Sequence, residues 1–245
     1  MIVEKKVGYE HDGRKFEGAI VYDDSVKTKR PVLFMQPDWA GVCTHTLAQA
    51  REIAGKDYVV LMADMFGEGY GAKEKTVDDL MKSSRSVRGN VPFINGCGGK
   101  ALAALGAEAD KLGLVDLGKK VAVGYCIGGG YVLEQARAGA DFKGVVVLHV
   151  TVPNPVVPGT PCNIKGRVLA IHGSADPVTP KPQMDALEAE LTAAKVDWQE
   201  VLFGHAVHSF CDPQAPTTGN TPQRYDEKLC RKSYQLMREF FAETL

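Results

Sequence analysis

Six apolar runs of five or six residues limit what this 245-residue chain can become: Pro31–Gln36 (PVLFMQ), Tyr58–Ala63 (YVVLMA), Lys120–Gly124 (KVAVG), Gly144–His149 (GVVVLH), Arg167–His172 (RVLAIH) and Trp198–Phe203 (WQEVLF). Continuous runs rich in β-branched residues suit strands covered on both faces, the condition of a parallel sheet. Stretches of helical composition alternate with them, at Thr44–Ala54, Val77–Met81, Gly98–Leu112, Gly129–Ala138, Pro182–Ala194 and Arg224–Leu245. Repeated β-then-α order predicts an α/β fold with a mostly parallel central sheet flanked by helices, right-handed crossovers and a ligand site at the carboxyl ends of the strands. Residues 14–22 alternate weakly and read as an early antiparallel strand near an edge. No repeat, low-complexity linker or composition shift marks a boundary, so residues 1–245 are expected to form a single domain.

Charge and cysteine usage narrow the partners. Twenty-nine Lys+Arg balance thirty Asp+Glu, and no basic block would track a nucleic-acid backbone. No run approaches the roughly eighteen apolar residues of a membrane span, and the N-terminus lacks the apolar core of a signal segment, so the expectation is a cytoplasmic protein acting on a small molecule. The six cysteines, at 43, 97, 126, 162, 211 and 230, form no CxxC pair. They call for neither a metal nor another cofactor and read mostly as reduced thiols, although their number is compatible with one bridge. Oligomeric state leaves no mark in the sequence.

Chemistry is expected where the strands end. Asp38 follows PVLFMQP, Asp64 follows YVVLMA, Cys126 follows KVAVGY and Asp176 follows RVLAIHGSA. In KVAVGYCIGGGYVLEQARA a potential nucleophile stands between glycines at −2 and +2, on a strand, abrupt turn and helix. This is the G-x-S-x-G nucleophile elbow with Cys for Ser, and its glycines let strand and helix backbones approach. A phosphate-binding turn is the rival, but it requires G-x-G-x-x-G and an acidic residue about twenty positions on, which are missing here.

A cysteine nucleophile needs a base and a group to orient it, and α/β hydrolases supply them in the order nucleophile, acid, histidine. Asp176 lies in HGSADPVTP after one strand, and His208 lies in FGHAVHSF after the next, with His205 a competing base three residues earlier.

With these motifs the chain resembles the dienelactone hydrolase family of α/β hydrolases, through GYCIGGG, HGSADPVTP and the HSF segment before a final helix, over roughly Lys15 to the C-terminus. The resemblance implies Cys126 as nucleophile, Asp176 as acid and His208, rather than His205, as base. It also implies a carboxylate that pairs with the thiol's proton until substrate arrives; DWAG puts Asp38 there, one methylene shorter than the family's usual Glu. The backbone N–H groups of Ile127 and Trp39 are the expected oxyanion donors. The substrate implied is an unsaturated lactone or activated ester, opened through an acyl-cysteine. Family enzymes of that activity hold the substrate carboxylate with an arginine four residues after the histidine, where this chain has Asp212. Arg85 and Arg88, in SSRSVRGN, are alternative cationic contacts. Two competing expectations are a catalytically silent module that binds a small ligand or partner, and a redox-sensing thiol at Cys126.

Overall fold

A computed structural model describes residues 1–152 and 161–245. It divides into two compact units, Met1–Ala122 and Val123–Leu245.

The first unit begins with a hairpin. Strands β1 (Ile2–His11) and β2 (Arg14–Asp23) pair antiparallel throughout their length. Asp12 and Gly13 join them with φ of 49° and 70°. An Asp-Gly pair with both residues at positive φ matches the twist of the flanking strands, so this dipeptide sets the register. β2 then pairs antiparallel with β4 (Val59–Met62), which lies parallel to β3 (Arg30–Gln36). Val32–Met35 of β3 and all of β4 are apolar and fully buried, as their runs predict. Helices α1 (Thr44–Ala54), α2 (Val77–Arg88) and α3 (Val91–Asp110) complete this unit, with α3 packed on β1 and β2.

Helix α2 corrects one expectation. It continues past Met81 to Arg88, so Arg85 and Arg88 occupy its last turn rather than a loop. Thr76 caps its start by accepting from Asp79 N, and Asp78 and Asp79 sit in the first turn. Acidic residues at one end and arginines at the other both complement the helix dipole.

β5 (Val115–Tyr125) carries the chain into the second unit, where the strand order is β5, β6 (Gly144–Leu148), β7 (Arg167–Gly173) and β8 (Trp198–Phe203). β6, β7 and β8 are mutually parallel. Their helices are α4 (Ile127–Arg137), α5 (Lys181–Ala193) and α6 (Glu227–Thr244). On α6 the residues Cys230, Ser233, Tyr234, Met237, Phe240 and Phe241 are buried, at the three- and four-residue spacing of a single face that packs on β6 and β7. Among the described residues no helix is long and apolar enough to cross a membrane.

Candidate active site

The turn between β5 and α4 is built around a positive φ. Cys126, at the N-cap of α4, has φ 53° and ψ −122°, a conformation that costs a non-glycine residue roughly 1–3 kcal/mol. Three backbone hydrogen bonds hold it: Cys126 N donates to Leu148 O (3.1 Å), and Cys126 O accepts from Gly129 N (3.1 Å) and Thr151 N (2.9 Å). A Cβ on Gly124 would lie 2.3 Å from Gly128 O, so the glycine before the cysteine is a steric condition of the turn. The result is a thiol presented at a strand end, at the N-terminus of a helix, where the dipole favours negative charge.

His208 and Asp176 meet that thiol. His208 Nε2 lies 3.0 Å from Cys126 Sγ, and its Nδ1 lies 2.7 Å from Asp176 Oδ2. The other carboxylate oxygen, Oδ1, accepts from Val178 N (2.8 Å) and Thr179 N (3.1 Å), which fixes the Asp-Pro turn and aims the acid. With Nδ1–H donating to the carboxylate, Nε2 is left to exchange a proton with sulfur. Burial favours the neutral ring, but the negative charge at Cys126 and the hydrogen bond to Asp176 outweigh it, and the His208 pKa rises to about 10. A ring with its proton affinity raised in this way is suited to take the proton from sulfur.

Sequence reasoning missed the surroundings of this relay. Thr151 Oγ1 lies 3.5 Å from the sulfur. His149, with φ 38°, packs edge-to-face on the rings of His208 (5.3 Å between centroids) and Phe210 (5.0 Å). Among the described residues neither ring nitrogen of His149 has a hydrogen-bond partner. Burial first, then the charges of His208 and His172, hold its pKa well below the usual histidine range, so it serves as a neutral wall. The signal was the polar stretch H-V-T directly after GVVVL. His172, also pushed down by burial, donates its Nε2–H to Thr179 O (2.9 Å) and stands behind the acid loop.

Cys211 and Cys230 form a disulfide with Cα atoms 4.6 Å apart. It corrects the reading of these two as reduced thiols, and it ties the His208 loop to α6 three residues after the histidine. Cys43, Cys97, Cys126 and Cys162 are free.

The remaining candidates fall as follows. His205 is exposed, its backbone N donating to Ser174 Oγ, while His208 alone of the two reaches the thiol. Asp212 is buried and its Oδ1 accepts from Gln214 N (2.8 Å), which closes the turn after the disulfide cysteine. Ile127 opens α4. In the first unit, Asp38 is buried, with Oδ1 on Ala40 N (2.8 Å) and Oδ2 on His45 Nε2 (3.0 Å). Trp39 is half-buried, and its carbonyl accepts from Tyr70 Oη. Arg85 is exposed and Arg88 half-buried. Asp64 is structural: it accepts from the N–H groups of Glu17, Phe66 and Gly67 and so closes the loop after β4.

Residues 16–245 match the dienelactone hydrolase family. The chain belongs to the dienelactone hydrolase family. As a family member it is an α/β-fold hydrolase of ester bonds. It is 31% identical to a dienelactone hydrolase-like promiscuous phosphotriesterase, P91, from metagenomic libraries, with 99% of this chain and 98% of that one covered and a TM-score of 0.89. A second solved structure, named m3DLH, is 30% identical at a TM-score of 0.90, covering 100% of this chain and 99% of that one. An uncharacterized protein of Caenorhabditis elegans is 31% identical over 132 residues, 53% of this chain and 82% of that protein.

Proposed function

We propose that this family member hydrolyses a small lactone or activated ester through an acyl-cysteine on Cys126. One observation carries the reading: the imidazole of His208 bridges the Cys126 thiol and the Asp176 carboxylate at hydrogen-bond distance on both sides. The thiol proton moves to Nε2 as sulfur attacks the ester carbonyl, and Asp176 keeps the imidazolium in place. The developing oxyanion takes hydrogen bonds from the backbone N–H groups of Ile127 and Trp39. On collapse, His208 returns the proton to the departing alkoxide; in a lactone that oxygen remains tethered to the acyl group. Water then attacks the thioester with His208 as base and regenerates the thiol. Asp38 is proposed as the carboxylate that meets the thiol proton in the resting enzyme, in competition with its bond to His45.

The nucleophile limits the leaving group. A thiolate leaves more readily than an amine, so a tetrahedral adduct from an amide reverts, whereas an enolate or aryloxide departs first. This favours lactones and activated esters over peptides. Arg85 and Arg88 are the proposed cationic contacts for an acidic substrate, since Asp212 stands where the family's arginine is expected. The whole chain is read as one catalytic domain, supported by the single family match across residues 16–245. A cytoplasmic setting is proposed, in line with the four free thiols, although the Cys211–Cys230 bridge favours an oxidising one. It is tested by capping thiols at lysis and asking whether Cys211 and Cys230 were reduced in the cell.

The test of function is a panel of aryl esters, unsaturated lactones and one phosphotriester, assayed with the parent chain and with Cys126→Ala. Turnover of esters or lactones that disappears in the variant supports the proposal. No turnover by the parent on any of them favours the silent binding module.

A further inference from the structure

The first unit holds a second cysteine, histidine and aspartate in line. Cys43 Sγ lies 3.2 Å from His45 Nδ1, and His45 Nε2 lies 3.0 Å from Asp38 Oδ2. Asp38 is buried and His45 nearly so, whereas Cys43 is half-buried. The thiol stands at the N-cap of the eleven-residue helix α1, in a capping box with Thr46. It also lines a cavity of about 210 Å³ with Lys6, Glu17, Asp64 and Tyr70.

The cavity is built by a close approach. The short turn Tyr70–Ala72 presses on the loop before α1, where a Cβ at Gly71 would lie 1.7 Å from Val42 O. Only glycine permits that contact. Lys75 is fixed over the Tyr70 ring at 4.4 Å, its Nζ donating to Tyr70 O and Lys73 O, and its ammonium interacts electrostatically with Cys43.

The geometry points to Cys43 as a second activated thiol, a modification site for small α,β-unsaturated carbonyl compounds that enter this cavity. His45 donates Nε2–H to Asp38, which leaves Nδ1 to receive the thiol proton. Sulfur then adds to the β-carbon, the carbon–carbon π pair moves toward the carbonyl as an enolate, and the proton on His45 returns to the α-carbon. Thiol and alkene become a thioether with no leaving group and no change in net oxidation. Charge fits this chemistry. Burial raises the Cys43 pKa, but the hydrogen bonds from His45 and Thr46 outweigh it and the balance is downward. The His45 pKa rises to about 10: burial alone would lower it, and its bonds to Asp38 and Cys43 prevail. Cys97 is the internal contrast, pushed up to about 12 by burial and by Asp64, and Cys162 is raised by burial as well.

Only Asp38 is shared with the Cys126 reading, so the test is made in Cys126→Ser protein. This protein is treated with limiting N-ethylmaleimide near neutral pH, and the adducts are mapped and timed by peptide mass spectrometry. Cys43 is expected to label at least about tenfold faster than Cys162, and His45→Gln to slow Cys43 by about tenfold, the range that thiolate fraction controls. Thermal unfolding and the Cys162 rate of the His45 variant report whether its fold is intact. If either has moved, Asp38→Asn replaces it, with the same slowing expected. Labelling of Cys43 no faster than Cys162, or an unchanged Cys43 rate in a folded His45→Gln or Asp38→Asn protein, overturns the proposal.

Discussion

Two regions of this molecule assemble the same three side chains and present them differently. In the second unit the relay runs from Cys126 through Nε2 and Nδ1 of His208 to Asp176. In the first it runs from Cys43 through Nδ1 and Nε2 of His45 to Asp38, so the imidazole is reversed. The Cys126 relay is drawn from three widely separated loops, with a strained nucleophile and a histidine whose side chain is fully buried. The Cys43 relay is local: all three residues lie within 38–45, the cysteine has ordinary extended backbone at φ −143°, and no strain marks it. Activating a thiol thus takes only a neighbouring base and acid, whereas presenting it for turnover takes a turn that the whole sheet must hold in place.

This contrast predicts effects of very different size. Cys126→Ala should lower turnover of an activated ester by roughly 10³-fold or more, the scale of losing a covalent nucleophile, while Cys43→Ser keeps the parental rate. Equal losses in steady-state assays would erase the distinction between the two thiols. His208→Gln should cost about 10²–10⁴-fold, the usual worth of a positioned acid–base group, and His205→Ala should cost almost nothing. A reversed ranking in the same assay means that the wrong histidine has been assigned.

Stability effects come next. The disulfide closes a loop between Cys211 and Cys230 in the unit that bears Cys126. Replacing both cysteines by Ala should cost about 3 kcal/mol by denaturant titration. The loss should extend to turnover, because the bridge anchors the segment after His208, and a variant that melts lower yet turns over normally would show that the relay does not depend on the bridge. The smallest effect concerns pH. His149 is neutral in the fold, its pKa held well below the ordinary value, while in the unfolded chain it titrates near 6.5. The unfolded state therefore binds more protons as pH falls through about 6.5, and stability is lost by up to about 1.4 kcal/mol per unit for this group. His149→Phe should flatten that slope between pH 7 and pH 5, leaving the contribution of His172; an unchanged slope in urea titrations would show that the ring is not the acid-sensitive element.

The more local a feature was, the more of it could be read in advance. The elbow was legible because its glycine pattern around Cys126 answers a local steric demand, met in the fold at Gly124, and the six apolar runs became β3 to β8 with ends shifted by a few positions. Chain order pointed to Asp176 and to a histidine at 205 or 208, since a loop after each parallel strand reaches the same end of the sheet, and the family resemblance favoured His208. β1 went unread although Asp12-Gly13 is a hairpin signal, because the charged residues of IVEKKVGYEH hide its alternation. The Cys211–Cys230 bridge and the packing of His149 on His208 depend on which loops meet in space, and spacing along the chain carries no such information. The Cys43 relay is short-range, yet Asp38, Cys43 and His45 make no recognisable motif along the chain, and only the turn before α1 brings them into line.

The central claim is that Cys126, and not another of the free thiols, carries the acyl group during turnover. Rapid acid quenching of the parent chain with an activated aryl ester, followed by peptide mass mapping, tests it directly. An acyl mass is expected on the peptide containing Cys126, forming and decaying with turnover. An acyl group found instead on the Cys43 peptide with those kinetics, or steady turnover with Cys126 never acylated, would contradict it.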